Sequence, residues 1–147
     1  MQNLPRIPVR HDAAYPGRLN TDRSGEVWLG TRVAGEDLVV YHASDDPIEA
    51  FRPIETCFYR GYTACGHVYA IHVPAGTALE CYPHREVRFT PTPETEIISL
   101  GECRLDWVHG GIEIYTGAIA QCVDPEDAGE LPATWSALEK KLEEDHS

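Results

Sequence analysis

Positive charge is scarce in this chain. It sets 12 Lys and Arg against 24 Asp and Glu, for a formal net charge of −12. That balance argues against non-specific nucleic-acid binding, which needs a positive surface. A long apolar run is also missing. The first ten residues are mixed and hold two prolines, Pro5 and Pro8. Neither a signal peptide nor a membrane span is expected there, and the default is a cytoplasmic protein without a membrane partner. The five cysteines (Cys57, Cys65, Cys81, Cys103 and Cys122) are an odd number at irregular spacings. They do not read as a disulfide framework, and are expected to serve as small buried apolar residues. No Gly-rich phosphate loop stands out. Gly110-Gly111 follows a strand-like run but opens no helix, so it reads as a turn.

What is present suits one domain of 147 residues in three stretches. Residues 1–24 read as an irregular arm rich in Arg, Pro and Asn. Residues 25–123 read as a β-rich core, and residues 124–147 as an acidic linker and a C-terminal helix. The charge is uneven: residues 1–35 carry +2, residues 36–120 carry −8 and residues 121–147 carry −6. An acidic end is a solvated surface or a face that docks a basic partner.

Short β-rich runs follow one another between Gly and Pro punctuation: Glu26–Leu29, Leu38–His42, His67–Val73, Thr77–Tyr82, Glu86–Thr90, Thr95–Leu100 and Cys103–Val108. A longer apolar-rich run covers Ile112–Val123. Their number and spacing predict a mostly β (α+β) fold, a two-sheet sandwich or a split barrel of short strands. Helix signals are few. Pro47–Phe51 suits a single helical turn. Thr134–Asp145 is the one convincing helix: Thr134 can act as N-cap, and Trp135, Leu138 and Leu142 make one apolar stripe.

The stretch Leu38–Tyr59 concentrates the candidate chemistry. An apolar strand delivers His42 to its end, and Phe58-Tyr59 arrives soon after. A histidine can hold a polar ligand while a ring stacks on it. In these residues the chain resembles the ADP-ribosyltransferase superfamily, in its small histidine-bearing branch. Tyr41-His42-Ala43-Ser44 is similar to the first-strand Tyr-His-Gly-Thr pattern. Asp46–Phe51 looks like the segment that follows, Cys57-Phe58-Tyr59 like the aromatic strand that stacks on nicotinamide, and His67–Gly76 like the central strand and turn. The resemblance implies an ADP-ribosyltransferase-like fold and a toxin-like, NAD-dependent transferase acting on a protein side chain. A nucleic-acid acceptor fits less well with the negative charge. Under that resemblance Tyr41, His42, Ala43, Phe58 and Tyr59 would bind NAD, with His42 on the nicotinamide ribose. A glutamate would stabilise the oxocarbenium-like centre as nicotinamide leaves. Two positions compete. Glu86, in His84–Phe89, is preferred because more of its flanking pattern matches. Glu113 resembles the late glycine-acid strand of shorter members.

Three other readings stand beside this one. Cys65, His67, Cys81 and His84 form Cys-x-His followed by Cys-x₂-His, ligand types suited to tetrahedral zinc. Buried cysteines and exposed histidines account for the same residues more simply, so no metal is expected. Cys57 as a nucleophile would need a neighbouring base and an electropositive setting, and its neighbours Thr56 and Phe58 supply neither. The rival to an enzyme is a non-catalytic acidic β-domain, an interaction or inhibitor module possessing a degenerate site.

Overall fold

The computed structural model of the chain describes residues 5–11, 28–61, 66–103, 105–108, 111–114 and 131–143. Residues 12–24 of the arm, Glu26-Val27, Cys65 and the acidic stretch 124–130 lie outside these.

The fold is mostly β. The strands are β1 (Ile7–Pro8), β2 (Gly30–Val33), β3 (Leu38–Ser44), β4 (Ala50–Phe51), β5 (Thr56–Tyr59) and β6 (Gly66–Val73). After them come β7 (Ala78–Tyr82), β8 (Glu86–Phe89), β9 (Ile97–Cys103), β10 (Leu105–Val108) and β11 (Gly111–Ile114), then helix α1 (Trp135–Glu143). Seven strands make one antiparallel sheet in the order β2-β7-β8-β5-β3-β6-β9. Two-stranded pairs, β1 with β4 and β10 with β11, accompany it. Among the described residues the expected mostly β fold takes the form of one seven-stranded sheet with two-stranded pairs beside it.

Two local expectations shift. Of the strand-like run expected at Glu26–Leu29, Glu26-Val27 lie outside the described residues, while Trp28-Leu29 precede the strand, which begins at Gly30 with φ +82. Pro47–Phe51 does not make a helical turn. Ala50–Phe51 pairs as β4 against Ile7–Pro8 instead, since Ile7 and Phe51 gain more by burying their side chains together. Part of the arm is thereby packed on the core. Val9 N–H donates to the Glu49 carbonyl at 3.1 Å, and Arg10 N–H to that of Ile97 at 2.9 Å.

Strand side chains alternate, so the large sheet has two faces. On the first, Val40, Phe58, Tyr69, Ile71, Val73, Leu79, Val87, Phe89 and Ile97 bury against Ile7, Val9 and Phe51. On the second, Val39, Tyr41, Ala70, Ile98 and Leu100 bury against Leu131, Trp135 and Leu138. Helix α1 forms where its stripe predicts. Thr134 caps it, Oγ1 accepting from Ala137 N–H at 3.2 Å, and Trp135 and Leu138 are its buried residues. The preceding segment is sewn to the sheet: Val39 N–H donates to the Ala133 carbonyl at 3.1 Å, and Tyr41 Oη to that of Pro132 at 2.7 Å. Gly66 opens β6 so close to β3 that an added Cβ would meet the Ser44 carbonyl oxygen at 2.6 Å. No helix among the described residues is long and apolar enough to cross a membrane.

Candidate functional site

Strand β3 was expected to present His42 to the same pocket as Tyr59 and a glutamate. The register decides where each goes. Tyr41, not His42, lies opposite Tyr59, and Tyr59 lies opposite Glu86. Residues directly opposite in an antiparallel pair share a face. Tyr41, Tyr59 and Glu86 therefore stand in a row on the second face. His42 stands on the first, one residue out of phase.

On the first face His42 meets apolar surroundings. Its ring is edge-on to Phe51 at 5.5 Å and to Phe58 at 6.0 Å. Burial lowers its pKa below the ordinary 6.5, opposed by a hydrogen bond to the Cys57 backbone. The imidazole is thereby kept neutral and held as a partly buried core residue. Phe58 is fully buried beside it.

On the second face Tyr41 is also fully buried, its hydroxyl committed to Pro132, and Ala43 packs at the edge of the helix-side cluster. Tyr59 and Glu86 are half-buried. Arg88 Nε donates to Glu86 Oε2 at 3.2 Å. The Cys57 thiol is pushed up first by burial and next by the Glu86 charge, the opposite of what a nucleophilic thiolate requires. Beyond this row the face is open and polar. Arg88 lies over the Tyr82 ring at 5.0 Å, and Thr31 Oγ1 donates to Glu80 at 3.3 Å.

The structure thus brings Tyr59 and Glu86 together and leaves His42 and Phe58 on the other side of the sheet. Glu113 stands on β11 opposite Asp106, and its side chain lies outside what is described. Of the zinc-type residues, Cys81 is buried on β7, four strand positions from His67 on β6, and His84 is exposed in the β7–β8 turn. Cys65 lies outside the described residues. Among the described residues no group of three or more His, Cys, Asp or Glu is placed to hold a metal ion.

A cleft exists elsewhere, and the sequence reading passed over it. Strands β3 and β5 share a single register pair, whereas β3 and β6 share seven. Before Tyr41, β3 parts from β5, and a cleft of about 210 Å³ opens there. Its walls are Trp28, Arg60, Gly61 and Arg85, and its apolar floor is Leu38, Val39, Val40, Leu131 and Ala133. Trp28 lies between two guanidinium groups, Arg60 at 3.7 Å and Arg32 at 3.8 Å from the ring centroid. Arg85 is only 8% exposed, and both it and His84 take left-handed φ values, 62° and 65°. Such values are uncommon outside glycine and cost of order 1 kcal/mol or more each. The turn is tied down by Arg60 N–H donating to the Arg85 carbonyl at 3.0 Å. The available signal was the scarcity of cations, which makes a buried arginine stand out.

No protein-family model matches the chain, and no curated protein or solved structure is detectably similar to it.

Proposed function

We infer that this chain is a non-catalytic acidic β-domain, an interaction or inhibitor module that works by binding. The observation that carries this reading is the register of β3, β5 and β8. A transferase using His42 for the ribose and Glu86 for the developing cation needs both groups at one substrate. Here the sheet backbone separates them, His42 is held among Phe51 and Phe58, and Glu86 is engaged by Arg88. The net charge of −12 favours a protein partner with a basic surface. Exposed Asp45, Asp46 and Glu49 supply acidic contacts on the segment after β3.

The direct test is incubation with millimolar NAD, measuring nicotinamide release and the melting curve. Neither is expected to change. Nicotinamide release that disappears in Glu86→Gln would overturn the reading. On the binding side, a captured partner should be lost at high salt and on reversing Asp45, Asp46 and Glu49 to Lys, but retained in His42→Ala. Capture that ignores the charge reversals and fails in His42→Ala would count against the module.

One observation favours a second reading, an NAD-dependent mono-ADP-ribosyltransferase modifying a protein side chain. Tyr59 and Glu86 are cross-strand neighbours on an open face. In this reading a ring and a carboxylate there would supply part of a nicotinamide-ribose site. The ribose would then need a contact from a group other than His42. Localisation in the cytoplasm goes with either reading.

A further inference from the structure

The contacts at the start of α1 go beyond the binding-domain reading and stand on different residues. Three segments meet at Asp37, in the loop before β3. Its carbonyl accepts from the N–H of Trp135, the first residue of α1, at 3.1 Å. Its Oδ1 accepts from Ala75 N–H, in the turn after β6, at 2.9 Å. Its Oδ2 lies 3.3 Å from Nε2 of His72, on β6. The His72 ring in turn lies against the Trp135 ring, with centroids 4.8 Å apart. One imidazole is thus set between a carboxylate on the sheet and an aromatic face on the helix. Nε2 is buried, and its line to Asp37 is not that of a hydrogen bond. The attraction therefore rests on charge, and is present when the ring is protonated. An indole face also attracts a cation within about 6 Å. The Ala75 N–H, and after it His72, hold the Asp37 carboxyl below its ordinary 3.8, so the acid keeps its charge across the histidine range.

We propose that His72 is a pH-sensitive clasp for α1: its protonation draws Asp37 and Trp135 onto one charge and fastens the helix to the sheet. The surrounding elements favour that charge. The β2–β3 loop brings Glu36 and Asp37, and the approach to β9 brings Glu96, whose carbonyl accepts His72 N–H at 3.0 Å. Helix α1 carries the exposed Glu139 one turn past Trp135, and on β3 the residue opposite His72 is the apolar Val39. The bases on these elements stand farther off: Arg10 is bridged to Ile98, and Lys140 and Lys141 lie more than a turn along α1. The clasp is closed on the acid side of the histidine range, about pH 6.5, and slackens as pH rises through it. Slackening frees the helix from the apolar row Val39, Ala70, Ile98 and Leu100 that it covers.

The test is amide exchange and NMR titration of the ¹⁵N-labelled full chain between about pH 5 and about pH 8, the range in which histidine titrates. Protection of the α1 amides is corrected for the intrinsic exchange rate and read relative to β7 and β8. It is expected to be about threefold higher at the acid end, the effect of one partly exposed ion pair. The Trp135 indole resonance, assigned with Trp135→Phe, should move together with the His72 ring. Both changes should vanish in His72→Gln. Asp37→Asn keeps an acceptor for Ala75 and removes the charge, so it should lessen the change in protection and leave the indole titration in place. The readout is local because His42, on the other face, governs the pH dependence of the global transition, and its contribution falls toward acid. The proposal is overturned if α1 protection does not rise toward acid in the wild type, or if the rise survives in folded His72→Gln. Should that variant not fold, a wild-type indole resonance that fails to follow His72 overturns it equally. Failure of the clasp would leave the binding-domain reading standing, since that reading rests on Asp45, Asp46 and Glu49.

Discussion

The two faces of the large sheet are built to different ends. The first is closed: His42, Phe58 and Tyr69 sit in an apolar cluster that the β1–β4 pair covers. The second is divided. Helix α1 covers it over β3, β6 and β9, while over β5, β8 and β7 it carries Tyr59, Glu86, Arg88, Glu80 and Tyr82 in partial or full exposure. A candidate residue on the first face is held by packing. One on the second is held by polar neighbours and can meet a ligand. A histidine and a glutamate with the right sequence neighbours are thus separated by which way one strand happens to point.

The largest effect that would test this difference is on the closed face. Phe58→Ala removes a fully buried ring and should cost about 3–5 kcal/mol, measured by urea unfolding. A loss under about 1 kcal/mol would mean that the face is looser than its burial indicates. On the helix side, Leu138→Ala should cost about 2–5 kcal/mol. Its amide exchange should quicken in α1 more than in β7 and β8. Tyr41→Phe is expected to cost about 1 kcal/mol by leaving the Pro132 carbonyl without its donor.

The next effect depends on pH. Burial lowers the His42 pKa from 6.5, so the unfolded chain binds the extra proton first. The His42 contribution to stability is intact above pH 6.5. It begins to be lost as pH falls through 6.5, and the loss is complete once pH has fallen through the lower folded value. His42→Gln should flatten stability against pH across that window relative to the wild type. A wild-type profile already flat there would mean that His42 is solvated. The smallest effect belongs to the open face. Glu86→Gln should leave the melting temperature nearly unchanged, since its pairing with Arg88 is close to the surface. A large drop would show that the open face is structural after all.

Much of the fold was legible in the sequence because period-2 patterning and turn residues carry it. Leu38–Ser44, Gly66–Val73, Ala78–Tyr82 and Glu86–Phe89 all fall on runs that read as strands. The Thr134 cap and the Trp135–Leu138 stripe gave the helix to within two residues. What the local patterns do not carry is strand-to-strand register. Placing Tyr59 opposite Tyr41 rather than His42 is set by long-range pairing and by the loop between β3 and β5, neither of which has a local signature. The same limit hid the cleft. Trp28, Arg60 and Arg85 are far apart in sequence and meet only because β3 and β5 diverge. The β4 pairing was missed for a related reason: Pro47 and the short apolar spacing suggested a turn of helix, and Ile7 lay too far away to be counted.

The seam that joins Tyr41 to Pro132 has a temporal consequence. That hydrogen bond closes over 91 residues of sequence, and Val39 waits for Ala133 in the same way. Contacts so distant along the chain are slow to find because loop closure must come before any gain from packing. The β7–β8 hairpin, with three residues in its turn, needs no such search. Folding should therefore begin on the arginine-bearing side of the split and end when α1 seals β3. The strand that carries His42 is among the earliest in sequence and among the last to be secured.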